Sequence, residues 1–124
     1  MEPVTEQRPV PGPVVYGYLR MPASNQTRRA ALTLALRGYC DRHELTLGGV
    51  YTDSGDETAW QPGFTSLLDA ILTTGGYGVI IPSPAHLGTG QLAAWRSAAI
   101  TRTGRRLILI RGALASAVTT WRDR

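Results

Sequence analysis

The chain has 124 residues, of which 43% are hydrophobic and 18% are charged, so it can bury the core of one domain without a disulfide or a structural metal. The formal net charge is +4, and all 13 basic residues are arginines spread along the chain, which predicts weak, non-specific affinity for DNA at most. No apolar stretch approaches the roughly 20 residues of a membrane span, and the N-terminus does not resemble an export signal. The single cysteine, Cys40, has no intrachain partner, and together these features favour a cytoplasmic protein without membrane contact.

The N-terminal third predicts a tail, a strand and a helix. Residues 1–13 contain four prolines, which oppose both helix and sheet, so we expect a flexible tail. Residues 14–18 are β-rich and form the first predicted strand. Ser24 or Asn25 then caps a helix that runs to about Arg42. Apolar residues follow its 3.6-residue period at Leu32, Ala35, Leu36, Tyr39 and Cys40.

The middle of the chain predicts a second strand, a loop and a second helix. The strand covers residues 45–51, and residues 52–62 form the loop, in which Trp60 is either an anchor for a partner or packed over the next helix. The helix starts near Gly63 and ends at Gly75-Gly76, where a left-handed cap is easily adopted. Its inward positions are Phe64, Leu67, Leu68, Ile71 and Leu72.

The last third predicts two strands around a third helix. Residues 77–81 form a strand that the following prolines stop, and Thr89 caps a helix that ends before Gly104. Leu92, Trp95 and Ala99 lie along one side of that helix. Residues 106–110 form a fourth strand whose apolar run indicates cover on both faces.

The alternation of strands and helices predicts an α/β fold with a mostly parallel sheet and helices on both faces. In such folds the carboxyl ends of the strands lie at one edge, where ligand sites gather. Arg20, Asp53 and the loop 82–89 all fall at that edge. We therefore expect the functional cleft there.

Several short motifs in this chain resemble those of the resolvase/invertase family of serine recombinases. Tyr18-Leu19-Arg20-Met21-Pro22, with Gln26 four residues later, is similar to the family's Tyr-x-Arg-Val-Ser-x-x-x-Gln, with Pro22 in place of the nucleophilic serine. Asp53-Ser54-Gly55 and Gln61-Pro62-Gly63-Phe64 match the next two motifs in order and spacing. The segment ending in Leu87-Gly88 resembles the family's Asp-Arg-Leu-Gly-Arg.

The resemblance implies a three-layer resolvase-like (flavodoxin-like) domain over residues 14–124, with four or five strands and without the family's C-terminal DNA-binding module. It also implies that the catalytic chemistry of the family has been lost. The family cuts DNA with its serine hydroxyl, and proline has no nucleophile. Gln61 stands where the family has the arginine of Arg-Pro-Gly, and Ala85, His86 and Thr89 replace the aspartate and both arginines of the later motif. Arginine suits phosphoryl transfer because its planar fork donates charge-assisted hydrogen bonds.

Three functional hypotheses follow. The first is an inactive, dimeric binding or regulatory module with a possible protein partner or a loose association with DNA. The second is a recombinase or nuclease that uses another nucleophile, Ser24 or Ser54. The third is a binder of a small anion in the old cleft, with Arg20, Asp53 and His86 as ligand-binding residues, although Arg20 could instead pair with Asp53 and His86 could simply be exposed. We expect no cofactor, and no metal site, because no second His or Cys offers ligand spacing.

The C-terminal segment predicts a self-association surface. Between residues 113 and 121, the side chains of Leu114, Val118 and Trp121 form an apolar stripe on a short helix. So short a helix is marginal alone and must dock. In the resembling family this region begins the dimer helix, so we expect a homodimer; the alternative is docking onto the chain's own sheet.

Overall fold

The computed structural model describes residues 12–21, 25–54 and 61–110. In chain order these form β1 (Val14–Arg20), α1 (Gln26–Arg42), β2 (Thr46–Asp53), α2 (Pro62–Thr74), β3 (Gly78–Ile81), a 3₁₀ helix (Pro84–Leu87), α3 (Gly90–Thr101) and β4 (Arg106–Leu109). Some sequence predictions lie outside the described residues, namely those for the tail up to residue 11, Pro22, Ser24, Trp60, Leu114, Val118 and Trp121.

The four strands form one parallel sheet in the order β2-β1-β3-β4. The predicted α/β fold with a parallel sheet is therefore confirmed. β1 and β2 each run two residues further than predicted, because their pairing continues to the register pair of Arg20 with Asp53. This pair places both charged side chains at the carboxyl edge of the sheet.

The sheet separates two apolar clusters, because successive side chains of β1 point to opposite faces. Tyr16 and Tyr18 belong to the cluster beneath α2 and α3, whereas Val15 and Leu19 belong to the cluster beneath α1. On α1, the residues buried against the sheet are Leu32, Leu36 and Cys40. The predicted stripe of this helix and the buried environment of Cys40 are thus confirmed.

Two of the predicted helix faces need correction. Leu72 of α2 was predicted to point inward but is 56% exposed, whereas Leu67 and Ile71 are fully buried. On α3 the predicted side with Trp95 is wrong, since Trp95 is 37% exposed and the buried residues are Arg96 and Ile100. Because the charged Arg96 occupies a buried position, hydrophobic periodicity does not identify the buried face of α3.

The ends of the elements follow the sequence more closely. Gly75 ends α2 with a left-handed φ of 70°, as predicted. Thr89 and Asn25 occupy the cap positions of α3 and α1, but neither side chain makes a cap hydrogen bond. β4 lies at the edge of the described sheet, and its apolar residues are half-buried rather than fully covered.

Among the described residues, no helix combines the length and apolarity needed to cross a bilayer.

We expect Leu67→Ala to lower the free energy of unfolding by about 2–5 kcal/mol, because it leaves a cavity beneath α2. Leu72→Ala on the same helix should change it by less than about 0.5 kcal/mol, since this side chain is mostly solvated. Urea titration followed by circular dichroism measures both. Equal losses would show that α2 is rotated relative to the sheet.

Candidate functional site

The carboxyl edge of the sheet brings together the ends of β1 and β2, the start of α2 and the 3₁₀ helix after β3. Arg20 ends β1, Asp53 ends β2, Gln61 precedes α2, and Ala85 and His86 lie in the 3₁₀ helix. The predicted cleft positions therefore converge as expected from a parallel sheet. Their hydrogen bonds show what each side chain does.

Asp53 is the buried centre of this edge, with 8% of its surface exposed. Its Oδ1 accepts a hydrogen bond from the backbone N–H of Gly63 at 2.7 Å. Its Oδ2 accepts one from the backbone N–H of Phe64 at 2.8 Å and one from the Tyr18 hydroxyl at 2.7 Å. The carboxylate thus caps the N-terminus of α2 and ties it to β1 and β2.

The sequence Pro62-Gly63-Phe64 suits this cap at each position. Pro62 is the first helical residue, where a missing N–H costs nothing. A Cβ on Gly63 would lie 2.3 Å from the carbonyl oxygen of Thr52, so only glycine lets the helix approach β2 this closely. Phe64 is buried and packs edge-on against Tyr18, with ring centroids 5.5 Å apart. The motif therefore has a structural role that does not require DNA chemistry.

The hydroxyl of Tyr18 is held in its neutral form. Burial raises the pKa of Tyr18, and the hydrogen bond to Asp53 and the charge of that carboxylate raise it further. The nearby charges of Arg96 and Arg20 oppose this shift in the pKa. Tyr18 therefore keeps its proton and donates a hydrogen bond to Asp53 across the whole ordinary pH range.

His86 is buried, which corrects the expectation of a solvent-exposed loop histidine. Its Nδ1 accepts a hydrogen bond from the backbone N–H of Arg20 at 3.0 Å. An accepting Nδ1 carries no proton, so the neutral ring has its proton on Nε2. The ring joins the 3₁₀ helix to the end of β1.

Arg20 is half-buried at the end of β1. Its Nη1 lies 3.5 Å from the carbonyl oxygen of Ala85, which is a long contact for a guanidinium hydrogen bond. Both oxygens of Asp53 already accept hydrogen bonds from Tyr18, Gly63 and Phe64, so the role of that carboxylate is to cap α2. Anion binding by Arg20 stays a prediction.

Arg96 is the residue that sequence reasoning missed. It is fully buried on α3, where its Nη1 donates to the carbonyl oxygen of Leu87 at 3.3 Å and its Nη2 donates to Oε1 of Gln61 at 3.2 Å. Its guanidinium carbon lies 5.4 Å from the ring centroid of Phe64. The charge is thus enclosed between α2, α3 and the 3₁₀ helix. The one sequence feature that indicates its burial is its position four residues before Ile100, on the same face of α3.

The remaining predicted positions are peripheral. Gln61 is buried between Arg96 and Ser54, and its Nε2 donates to the Ser54 Oγ at 3.4 Å. The exposed positions are Gln26, Ser54, Ala85 and Thr89. Within residues 12–21, 25–54 and 61–110, no cluster of three or more His, Cys, Asp or Glu residues could hold a metal ion.

We expect Tyr18→Phe to remove a pH dependence as well as a hydrogen bond. A raised folded-state pKa means that the stabilisation is complete below the unfolded value of about 10 and declines as pH rises above it, by about 1.4 kcal/mol per pH unit. The variant should lose about 1–3 kcal/mol of unfolding free energy near neutral pH and decline less steeply above pH ~10. Urea titrations between pH 7 and 11 measure both effects. Parallel stability curves for the two proteins would contradict the buried hydroxyl–carboxylate bond.

Comparison with solved structures places this geometry in a known fold. The chain is similar to the crystal structure of the C-terminal catalytic domain of ISC1926 TnpA, an IS607-like serine recombinase, with a TM-score of 0.69 and 16% sequence identity. The match covers 80% of this chain and 68% of that chain. No protein-family model and no curated protein matches the sequence. At this identity the likeness shows the fold, and the chain therefore has the fold of a serine-recombinase catalytic domain.

Proposed function

We propose that this chain is a catalytically inactive serine-recombinase-like domain that acts as a dimeric binding or regulatory module in the cytoplasm. The observation that carries the proposal is the use of the edge residues as structural contacts. Asp53 caps α2, His86 accepts from the Arg20 backbone, and Gln61 accepts from Arg96. The family likeness puts Pro22 where the nucleophile belongs.

The charge distribution supports the loss of catalysis. A phosphoryl-transfer transition state needs donors aimed at its non-bridging oxygens from within reach of the substrate. Arg96 has no exposed surface and donates to Leu87 and Gln61, so it does not replace the missing arginines at the mouth of the cleft. Of the residues assigned to the cleft from the sequence, only Arg20 has a guanidinium.

Ser54 is a poor candidate for a displaced nucleophile. Its Oγ accepts a hydrogen bond from Gln61, which supplies no base. Both oxygens of the neighbouring Asp53 carboxylate accept hydrogen bonds from the Tyr18 hydroxyl and from the Gly63 and Phe64 amides, so this carboxylate is engaged in the cap. A serine becomes a strong nucleophile at neutral pH when a base accepts its proton, and neither the Gln61 amide nor the engaged Asp53 carboxylate serves as that base.

A second candidate function, the binding of a small anion in the cleft, is favoured by Arg20. Its guanidinium is half-buried at the carboxyl edge of the sheet, where the ligand sites of parallel sheets gather. A guanidinium can donate charge-assisted, bidentate hydrogen bonds to a phosphate or carboxylate. In this role His86 and Asp53 hold the backbone around the anion.

Self-association is supported by an apolar groove that is formed partly by β4, the last described strand before the predicted stripe in the chain. The groove encloses about 540 Å³ between α3 and β4 and is lined by Leu87, Ala93, Ala98, Leu107 and Leu109, among others. Residues 111–124 follow directly on this part of the chain. We propose that the groove receives Leu114, Val118 and Trp121 from a second copy.

We expect the protein neither to nick DNA nor to become covalently linked to it. Incubation with supercoiled plasmid should give no nicked circles, and mass spectrometry should find no serine joined to a 5′ phosphate. Pro22→Ser alone should not restore cleavage, because Gln61, Ala85, His86 and Thr89 would still leave the transition-state charge uncompensated.

A phosphoseryl adduct on Ser24 or Ser54 would overturn this expectation. Matched Ser24→Ala and Ser54→Ala proteins identify the source of any nicking. A double Ser24→Ala, Ser54→Ala protein that still nicks would show that neither serine is the nucleophile.

We expect light scattering at tens of micromolar to give twice the chain mass of 13.4 kDa. Trp121→Glu should yield a folded monomer, because burying a large apolar side chain contributes about 1.5–3 kcal/mol that a carboxylate cannot replace. Circular dichroism tests whether the variant is folded. A wild-type monomer, or a variant that unfolds instead of dissociating, would show that the stripe packs on its own domain.

A further inference from the structure

A second concave site lies at the opposite edge of the sheet from the cleft. It encloses about 420 Å³ between the C-terminal ends of α2 and α3, where β1, β3 and β4 begin. The described residues that line it include Arg105 and Arg106 but no acidic residue. Two cations without a carboxylate in a concavity favour an anionic ligand.

Arg105, which lines this site, has an unsatisfied side-chain donor. Its Nε is buried and, among the described residues, has no hydrogen-bond partner. A buried guanidinium N–H without an acceptor is costly, so an acceptor from outside the described residues would stabilise it. The backbone N–H of Arg105 is fixed by the Oγ1 of Thr103 at 3.2 Å, which holds the residue at this corner.

Arg106 is oriented by an aromatic ring. Its guanidinium carbon lies 5.3 Å from the ring centroid of Tyr77, and its backbone N–H donates to the carbonyl oxygen of Tyr77 at 3.2 Å. Stacking on a ring uses the face of the guanidinium and leaves its in-plane N–H donors available. The ring contact therefore holds the second cation beside the pocket that both residues line.

The backbone at this edge leaves room for a ligand. Gly75 and Gly104 adopt left-handed conformations with φ of 70° and 82°, and a Cβ at either position would meet no atom within 4 Å. The helix C-termini oppose an anion, but each carries roughly half an elementary charge against a full charge on each arginine. The balance of charge in the pocket is therefore positive.

We propose that this pocket binds a small phosphate ester through Arg105 and Arg106. A phosphate group takes bidentate hydrogen bonds from guanidinium forks. The pocket volume falls within the range of ordinary small-molecule sites, about 300–1,000 Å³, and leaves space for an organic group beside the phosphate. The site is separate from the cleft and does not depend on the function proposed for it.

The test is an NMR titration of the ¹⁵N-labelled full chain with ribose 5-phosphate and with inorganic pyrophosphate, each against sodium chloride of equal ionic strength. We expect saturable shifts of the Gly75, Gly76 and Gly104 amides and of the Arg105 Nε–H, with a Kd of about 1 mM or tighter. Shifts that match the chloride control, or no shifts at these groups, would overturn the proposal. Shifts produced by duplex DNA but not by the small phosphates would overturn it in favour of a nucleic-acid surface.

Variants distinguish phosphate binding in this pocket from general electrostatic attraction to the protein. The double change Arg105→Gln with Arg106→Gln should weaken binding by at least about tenfold. The matched control, Arg37→Gln with Arg102→Gln, removes the same charge from two exposed residues that do not line the pocket, and its Kd should stay within about twofold of wild type. Equal weakening in both would overturn the proposal. Arg105→Lys, which keeps the charge and loses the fork, should weaken binding by a measurable factor even if the double variant folds poorly.

Discussion

The carboxylate of Asp53 is the interaction on which the rest of this fold depends. It accepts hydrogen bonds from the Gly63 and Phe64 amides and from the Tyr18 hydroxyl, and so joins β1, β2 and α2 at one point. A buried charge is stable only when its hydrogen-bonding capacity is met, and three donors meet it here. Moving any one of these elements would leave the carboxylate under-satisfied.

This constraint gives the Pro-Gly-Phe sequence a structural role that is independent of any catalysis. The Pro-Gly-Phe sequence serves the cap, because proline tolerates the first helical position, glycine permits contact with Thr52, and Phe64 fills the core beside Tyr18. The hydrogen bonds and packing that hold this edge together therefore do not require a catalytic residue.

Local patterns in the sequence predicted the strands, the three helices, the glycine cap at Gly75 and the buried Cys40, since each depends on residues close together in the chain. Long-range contacts were not predictable in this way. The cap joins Asp53 to a helix that begins nine residues later, across a loop. From the sequence, a carboxylate at the end of a strand fits a ligand-binding role equally well. Arg96 was missed because hydrophobic periodicity counts arginine as a surface residue, whereas Gln61 and Phe64 give it an interior site.

A double-mutant cycle between Tyr18 and Asp53 tests this account most directly. The free energies of unfolding of Tyr18→Phe, Asp53→Asn and the double variant would be compared with that of wild type by urea titration. If the carboxylate holds the strand and the helix together, the two losses overlap, and the coupling energy should be about 1–3 kcal/mol. Additive losses within about 0.3 kcal/mol would contradict it and would leave Asp53 as a surface-cleft carboxylate independent of β1.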